Sequence, residues 1–189
     1  SKLNLDEILI NYDSFSLKKI LPDYKNVFKL KNYIIDIDYS KNDIKINSNG
    51  SYSLDTKFDN FDLKLIKNKN SFNFNSNISL DASKVLFEDI NYTKKKGASS
   101  KLSFNGNLFE NTKIIFKKIN YLENQNSISL SNLHLTNNYK IVDIDNFKLS
   151  YLNDNNKLNE LIILKNNGKF ELSSKNFDGK LAIKNLLNG

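Results

Sequence analysis

Apolar and polar residues alternate along most of this chain, as they do in a β-strand that buries one face. Leu54 and Phe58 share one parity, the apolar residues from Phe61 to Leu65 take the other, and Phe72 returns to the first. A polar break at residues 67–70 separates the last two runs. This alternation predicts antiparallel strands joined by short turns.

Comparable runs recur through the rest of the sequence, about a dozen strands in all, more than a flat sheet carries without curling. The further predicted strands lie at 34–39, 44–46, 85–92, 102–104, 114–121, 128–135, 142–151, 161–164 and 170–172.

A six-residue phrase of the form apolar, any, polar, apolar, any, apolar occurs five times. Its copies begin at Phe58, Phe87, Phe116, Leu130 and Ile144. The parity of the alternation changes within each phrase, and a strand that keeps one face buried can absorb such a slip only by a bulge or a bend. We therefore expect an all-β fold in which long, bent, mostly antiparallel strands form a curled sheet. That sheet would be either an open groove or a partly closed barrel.

Four Asn-Gly or Asp-Gly pairs have the residue types that tight hairpin turns need. We predict turns at Asn49-Gly50, Asn105-Gly106, Asn167-Gly168 and Asp178-Gly179.

Helical spacing is confined to two short segments. Leu17–Leu21 places apolar residues on one side of a helix and is stopped by Pro22, and Leu181–Leu187 has a similar face. One or two short helices are therefore expected, neither of them large enough to cover a wide sheet.

The length of 189 residues suits a single β-rich domain, residues 1–189. Because the chain starts without Met, we expect it to be a segment of a longer repeating protein. It contains no Cys, which excludes disulfides and thiolate metal sites, and no run approaches the length of a membrane span.

The net charge of +7 suggests an anionic partner, but all 28 basic residues are Lys. Together with abundant Asn and Ile, this is typical of an AT-rich genome. Arg is the usual residue for reading bases and for bidentate phosphate binding. Its absence argues against a nucleic-acid partner.

No residue pattern here indicates catalysis. His134 is the single histidine and lies between two leucines of a predicted strand, pointing away from them. Asp36 and Asp38, like Asp143 and Asp145, alternate as acids do on the wet face of a strand. There is no phosphate-binding Gly loop or nucleophile motif. We expect no enzyme activity, no metal and no cofactor.

The phrase Leu130–Leu135 and the closing stretch from Asn167 to Gly179 resemble the AsmA-like family, particularly its long YhdP-type members. In that family a Gly-x-Ser-Phe-Asp phrase precedes a short apolar helix. Here Ser174 and Asn176 stand where that phrase has Gly and Ser. The resemblance implies a periplasmic protein, anchored to the inner membrane in its full-length form, whose β-groove carries phospholipid. This chain would be a groove segment without the anchor.

A trough of Phe, Leu and Ile with Lys and Asn outside would suit acyl chains, which need apolar walls and few hydrogen bonds. We therefore expect a segment that binds and conducts phospholipid or another acyl-chain lipid, with neighbouring β segments of the full-length protein as partners. The candidate lining residues are Phe58, Phe61, Leu63, Phe72, Phe74, Phe87, Ile90, Phe104, Phe116, Leu130, Leu133, Ile144 and Phe147.

Two alternatives stay open. The chain could be a structural or adhesin-like β-repeat with short, regular strands and a closed core. It could also be a β-jellyroll of the lipopolysaccharide-transport type. Transport predicts unpaired terminal strands and excess interior volume.

Overall fold

The structure is a computed structural model that describes residues 1–40, 43–90, 92–110, 112–152 and 156–177. Strands account for 69% of the chain and helix for 4%, which confirms the predicted all-β class. One large antiparallel sheet dominates, and it is not closed into a barrel. A fully closed barrel is thereby excluded, in agreement with the predicted non-closed sheet.

The elements follow one another with short connections. The strands are β1 (Lys2–Asn11), β2 (Val27–Tyr39), β3 (Ile44–Ser53), β4 (Asp59–Asn68), β5 (Ser71–Ser79), β6 (Val85–Phe87), β7 (Tyr92–Lys94), β8 (Ser100–Phe109), β9 (Lys113–Glu123), β10 (Asn126–Thr136), β11 (Ile141–Asp143), β12 (Asn146–Leu152), β13 (Leu158–Asn166) and β14 (Lys169–Lys175). The helix α1 (Phe15–Ile20) precedes β2, and a 3-10 turn (Glu88–Ile90) links β6 to β7.

The large sheet is an antiparallel meander in the order β1-β2-β3-β4-β5-β8-β9-β10-β12-β13-β14. The short strand β11 pairs with β10 beyond the end of β12. The hairpin β6–β7 forms a two-stranded sheet of its own and is inserted between β5 and β8. Strand β1, which the alternation did not predict, forms one edge, and β14 forms the other.

The predicted bends occur at two of the repeated phrases. On β9, Phe116 pairs with Gly106 and Lys118 with Asn105, so Lys117 is an extra residue. On β10, Asn132 lies opposite this bulge and has a φ of 49°, in the left-handed region that Asn tolerates. The phrases that begin at Phe116 and Leu130 therefore bend adjacent strands together, as expected.

The other three phrases differ from the prediction. The copy at Phe58 starts before β4 and shows no register shift there. The copy at Phe87 is not a bent strand, because it folds back through the 3-10 turn into β7. The copy at Ile144 coincides with the break between β11 and β12. The same six-residue pattern thus adopts different structures, a bulge, a hairpin or a strand end, depending on the residues that pack beside it.

Two of the predicted Asn-Gly turns are wrong. Gly50 and Gly106 lie inside β3 and β8, each opposite a bulge of the neighbouring strand. A Cβ on Gly106 would lie 2.0 Å from the carbonyl oxygen of Ile115, so glycine is needed for close backbone approach rather than for a turn. The pair Asn167-Gly168 does join β13 to β14, with φ of 50° and 78°, and confirms the third turn.

Helix α1 matches the first predicted helix. The side-chain oxygen of Ser14 accepts a hydrogen bond from the Leu17 N–H at 3.2 Å and caps its N-terminus, and Pro22 follows its end. The predicted helix at 181–187 and the turn at 178–179 lie outside the described residues.

The buried core lies between one end of the sheet, α1 and the β6–β7 hairpin. Its buried members are Tyr24, Leu30, Tyr52, Leu54, Leu80, Val85, Tyr92, Tyr121, Leu149 and Tyr151.

Candidate apolar binding face

Strand alternation makes one face of the large sheet apolar across its whole width. Residues that lie directly opposite one another in neighbouring strands share a face. One row of such partners, from β1 to β14, is Leu3, Ile35, Ser48, Leu63, Ser76, Phe104, Ile119, Leu130, Phe147, Ile163 and Leu172. We call this side the apolar face.

The next row along the strands points to the other side and is almost entirely polar. It consists of Lys2, Asp36, Asn47, Lys64, Asn75, Asn105, Lys118, Ser131, Asn146, Leu164 and Glu171. We call this side the polar face. Strands lie about 4.8 Å apart, so the apolar row extends for about 50 Å across the sheet.

Only one end of the apolar face is covered by other parts of the described chain. There α1 and the β6–β7 hairpin pack on it, and Phe61, Leu102, Ile128 and Phe147 contact the buried core. Towards the opposite end, which we call the open end, apolar side chains lie outside that core and most stay half-buried. They include Ile44, Ile46, Leu65, Phe72, Phe74, Phe104, Ile114, Phe116 and Leu135.

Three phenylalanine rings form a cluster in the uncovered region. The centroids of Phe74 and Phe116 are 5.4 Å apart, and each lies 6.1 Å from that of Phe104. Phe74 lies on β5 and Phe116 on β9, the two strands on either side of β8. The backbones of β5 and β9 are therefore two strand spacings apart. Their rings therefore lean towards each other over Gly106, the residue that pairs with both.

A buried lysine fixes the hairpin over the covered end. The side chain of Lys94 is 0% exposed, and its Nζ donates hydrogen bonds to the carbonyl oxygens of Leu80 (2.5 Å), Asp81 (3.0 Å) and Ser83 (2.7 Å). Burial lowers the pKa of Lys94, and nearby carboxylates, Asp59 foremost, oppose that change. All three ammonium hydrogens are used in tying β7 to the loop that follows β5.

Tyrosine hydroxyls add further links between the hairpin and the sheet. Tyr92 donates to the carboxylate of Glu123 and lies 3.2 Å from the hydroxyl of Tyr121, while Tyr151 donates to the Ile90 carbonyl at 2.7 Å. Burial raises the pKa of Tyr92 strongly and that of Tyr121 to about 12. The hairpin is thus a fixed cover with a hydrogen-bonded, aromatic underside.

The predicted lining residues divide into five groups. Leu63, Phe72, Phe74, Phe104, Phe116, Leu130 and Leu133 lie on the apolar face outside the buried core, whereas Phe61 and Phe147 contact that core.

The remaining four candidates lie elsewhere. Phe87 and Ile90 belong to the hairpin, so they cover the face instead of lining its open part. Phe58 lies outside the apolar face. Its ring centroid is 5.1 Å from the Nζ of Lys31, and Lys31 points away from the apolar face. Ile144 lies at the break between β11 and β12. Sequence alternation could not identify these exceptions, because the hairpin and the strand ends interrupt the pattern.

Asp143, Asp145 and His134, three of the polar candidates, lie beside other residues of the chain. Asp143 is 2.6 Å from Lys165 Nζ, and this contact lowers its pKa; Asp145 accepts a hydrogen bond from the Asn132 amide. His134 pairs with Asp143 across β10 and β11. Among the described residues, no group of His, Asp or Glu side chains could hold a metal ion. No described helix has the length and apolarity to span a membrane.

The fold and the site define a class: a non-closed antiparallel β-sheet with one apolar face that the described part of the chain covers only in part. Comparison with known proteins adds no name to this class, since no family model, curated protein or solved structure matches the chain.

Proposed function

We propose that the open part of the apolar face binds the acyl chains of phospholipid or of a similar lipid, without catalysing a reaction. The observation that carries the proposal is the partly covered apolar face. A globular core needs no uncovered row of phenylalanine and aliphatic side chains, and large exposed apolar patches are typical of binding surfaces. In an AsmA-like envelope protein, this chain would be one segment of a lipid-conducting β-groove in the periplasm, with an inner-membrane anchor elsewhere.

The geometry favours acyl chains that lie across the strands. The apolar row is about 50 Å long in that direction, whereas the uncovered part is only a few residues wide along each strand. A chain on one wall buries about half its surface and gains about 0.4 kcal/mol per CH2, so two chains of about 16 carbons gain about 13 kcal/mol. Because association costs several kcal/mol, we expect binding in the micromolar range.

The sheet edges support a role as one segment among several. Among the described residues, β1 and β14 each have one strand partner, so both outer edges are free to pair. Leu3 and Leu172 lie at the two ends of the apolar row, and Leu172 is 67% exposed. A neighbouring β segment at either edge would continue the same apolar face. The closed core expected of an adhesin-like repeat has less support, since the strands are long and the face is open.

A fluorescent phospholipid with two acyl chains, titrated into the purified chain, tests the proposal, with native mass spectrometry to detect bound phospholipid. Phe74→Asp should weaken binding at least about tenfold, because it places a carboxylate on the apolar floor. Phe58→Asp is the matched control, since it makes the same change away from this face and should bind as the unaltered chain does. Phe61 is a poor test position because its ring packs on Tyr33 and Tyr52 in the core.

Saturable binding that Phe74→Asp removes and Phe58→Asp keeps would support the proposal. Phe74→Ser, which introduces no charge, guards against loss of folding and should weaken binding less. No binding by the unaltered chain, or equal loss in both aspartate variants with the fold intact by circular dichroism, would overturn it.

A further inference from the structure

Four neighbouring hairpins end together at the open end of the sheet. Their tips join β2 to β3, β4 to β5, β8 to β9 and β10 to β11. The tips of the second and third touch: Glu110 lies 3.6 Å from Lys67 Nζ, and its N–H donates to the Asn70 carbonyl at 3.4 Å. We call the described residues 39–40, 43–44, 67–71, 108–110, 112–114 and 136–142 the tip surface.

Shallow clefts connect these tips into one surface. A cleft of about 170 Å³ lies between the first two tips, bordered by Tyr39, Ile44 and Lys69. A cleft of about 420 Å³ lies between the last two, with Leu108 and Ile114 in its lining and Tyr139 at its border. Because Leu108 and Ile114 pair within one row of the apolar face, the larger cleft opens directly onto that face.

The tip surface exposes large apolar side chains that have no role in the core. Tyr39 is 79% exposed, Tyr139 75%, Ile141 70% and Val142 65%. Tyrosine is favoured at membrane interfaces, where its ring meets acyl chains and its hydroxyl meets water. Adjacent isoleucine and valine at a hairpin tip add aliphatic surface of the kind that inserts between lipid headgroups.

The described charges of the same surface are mainly positive. They comprise four lysines, Lys67, Lys69, Lys113 and Lys140, and two acids, Asp43 and Glu110. One of the acids, Glu110, is paired with Lys67. The ammonium of Lys113 lies 5.2 Å from the centroid of the Phe109 ring, a contact that leaves it able to meet a phosphate.

We propose that the tip surface docks on an anionic lipid bilayer, with lysines on the headgroup phosphates and the tyrosine, isoleucine and valine side chains at the interface. The exposed rings of Tyr39 and Tyr139 would suit either partner. The aliphatic pair Ile141 and Val142 favours a bilayer over a nucleic acid, because a bilayer buries exposed aliphatic surface whereas bases stack on rings. The inference deepens the proposed function, since docking there would bring the open end of the apolar face against the lipids it is proposed to bind.

Vesicle flotation tests the docking separately from lipid binding. The probes are vesicles of phosphatidylcholine alone and vesicles in which about one third of the lipid is phosphatidylglycerol. The chain should float with the anionic vesicles at low salt and be released at high salt. Lys113→Gln with Lys140→Gln should weaken that binding about twenty-five-fold, at about fivefold for each lysine near an anionic surface.

Lys57→Gln with Lys95→Gln is the matched control, since both lysines are exposed and lie in connections at the covered end. This pair removes the same net charge and should leave flotation nearly unchanged. Tyr139→Ser with Ile141→Ser should reduce binding to anionic vesicles while all four lysines remain. Both residues are exposed, so the fold should persist, and circular dichroism checks this.

No flotation of the unaltered chain at low salt would overturn the inference, as would equal losses in the two lysine pairs. Binding to a single-stranded oligonucleotide that depends equally on Lys113 and Lys140 would also overturn it, because the surface would then be a general anion binder. The titration with the fluorescent phospholipid separates the two proposals. If flotation fails while the probe still binds, only the docking is wrong; if the probe fails while flotation holds, only the acyl-binding proposal is wrong.

Discussion

Replacing Lys94 with Met removes the ammonium that holds the β6–β7 hairpin over the covered end. Methionine keeps a long apolar side chain, so the packing of the lysine stem is largely preserved. The change therefore isolates the three hydrogen bonds from Nζ to the loop carbonyls. We expect the variant to fold, with a lower free energy of unfolding and a loosened hairpin.

The magnitude follows from what each carbonyl retains. The Leu80 carbonyl still accepts from the Ser83 N–H at 3.2 Å, and that of Asp81 from the Gly97 N–H at 2.7 Å. Among the described residues, no other donor reaches the Ser83 carbonyl, so this group is left buried without a partner. A buried carbonyl without a partner costs about 1–3 kcal/mol of stability. Each lost bond from Nζ to the Leu80 and Asp81 carbonyls costs about 1 kcal/mol more.

Part of this cost is offset because the variant no longer desolvates an ammonium group, the effect that lowers the pKa of Lys94 in the fold. We expect the free energy of unfolding to fall by about 3 kcal/mol. This is a substantial part of the roughly 5–15 kcal/mol that is typical of a folded domain. Removing a buried ammonium group that had no hydrogen-bond partners would stabilise the fold. Removing that of Lys94 destabilises it, because three carbonyl oxygens accept its hydrogen bonds.

Urea unfolding monitored by far-ultraviolet circular dichroism measures this loss as a lower midpoint at unchanged slope. Lys95→Met is the control, since the adjacent lysine is exposed and its change should alter the free energy of unfolding by less than about 0.5 kcal/mol. Increased fluorescence of a hydrophobic dye would report the uncovered core. A Lys94→Met chain as stable as the control would refute the reasoning, because the three bonds would then contribute nothing net.

Two further predictions concern close packing and pH. Gly106→Ala should destabilise the fold by about 3 kcal/mol or more, because the new Cβ would lie 2.0 Å from the Ile115 carbonyl oxygen. Gly50→Ala should cost only about 1 kcal/mol, because its Cβ would lie 3.2 Å from its nearest neighbours. Equal thermal midpoints of the two variants would contradict this. Burial raises the pKa of Tyr121 to about 12 and raises that of Tyr52 further, so both are neutral in the fold. Their contribution is complete below the ordinary tyrosine pKa and is lost as pH rises from about 10 towards 12, so the urea midpoint should fall steeply there, and Tyr121→Phe should reduce that fall.

Alternation was sufficient to predict the sheet and most of its apolar face. Phe104, Leu130 and Phe147 were identified from period-two patterns, and they lie in one row of the face. This works because the alternation is fixed by backbone geometry, and register follows once one face must be buried. The bends at Phe116 and Leu130 were predictable for the same reason, since a change of parity has few structural solutions.

The covering hairpin was not predictable from the same signal. The phrase Phe87–Tyr92 has the pattern of Phe116–Tyr121, yet the first turns back on itself and the second bends within a long strand. The difference lies in tertiary partners, because Lys94 and Tyr92 find hydrogen-bond acceptors on the loop after β5 and on β9. The Asn-Gly pairs at Gly50 and Gly106 failed likewise, since the need for glycine comes from a neighbouring strand.

The size of the cover formed by the described residues explains why it reaches only one end of the apolar face. Helix α1 has six residues, a length of about 9 Å, while the sheet is about 50 Å wide and its long strands run for about 33 Å. With the short hairpin, such a cover can bury only one end. At the other end the chain limits exposure locally: rings converge over Gly106, and Lys67 lies 5.3 Å from the Phe72 ring centroid with its stem along the apolar rim. These contacts shield the face without filling it, which is what the proposed binding of an acyl chain to an intact fold requires.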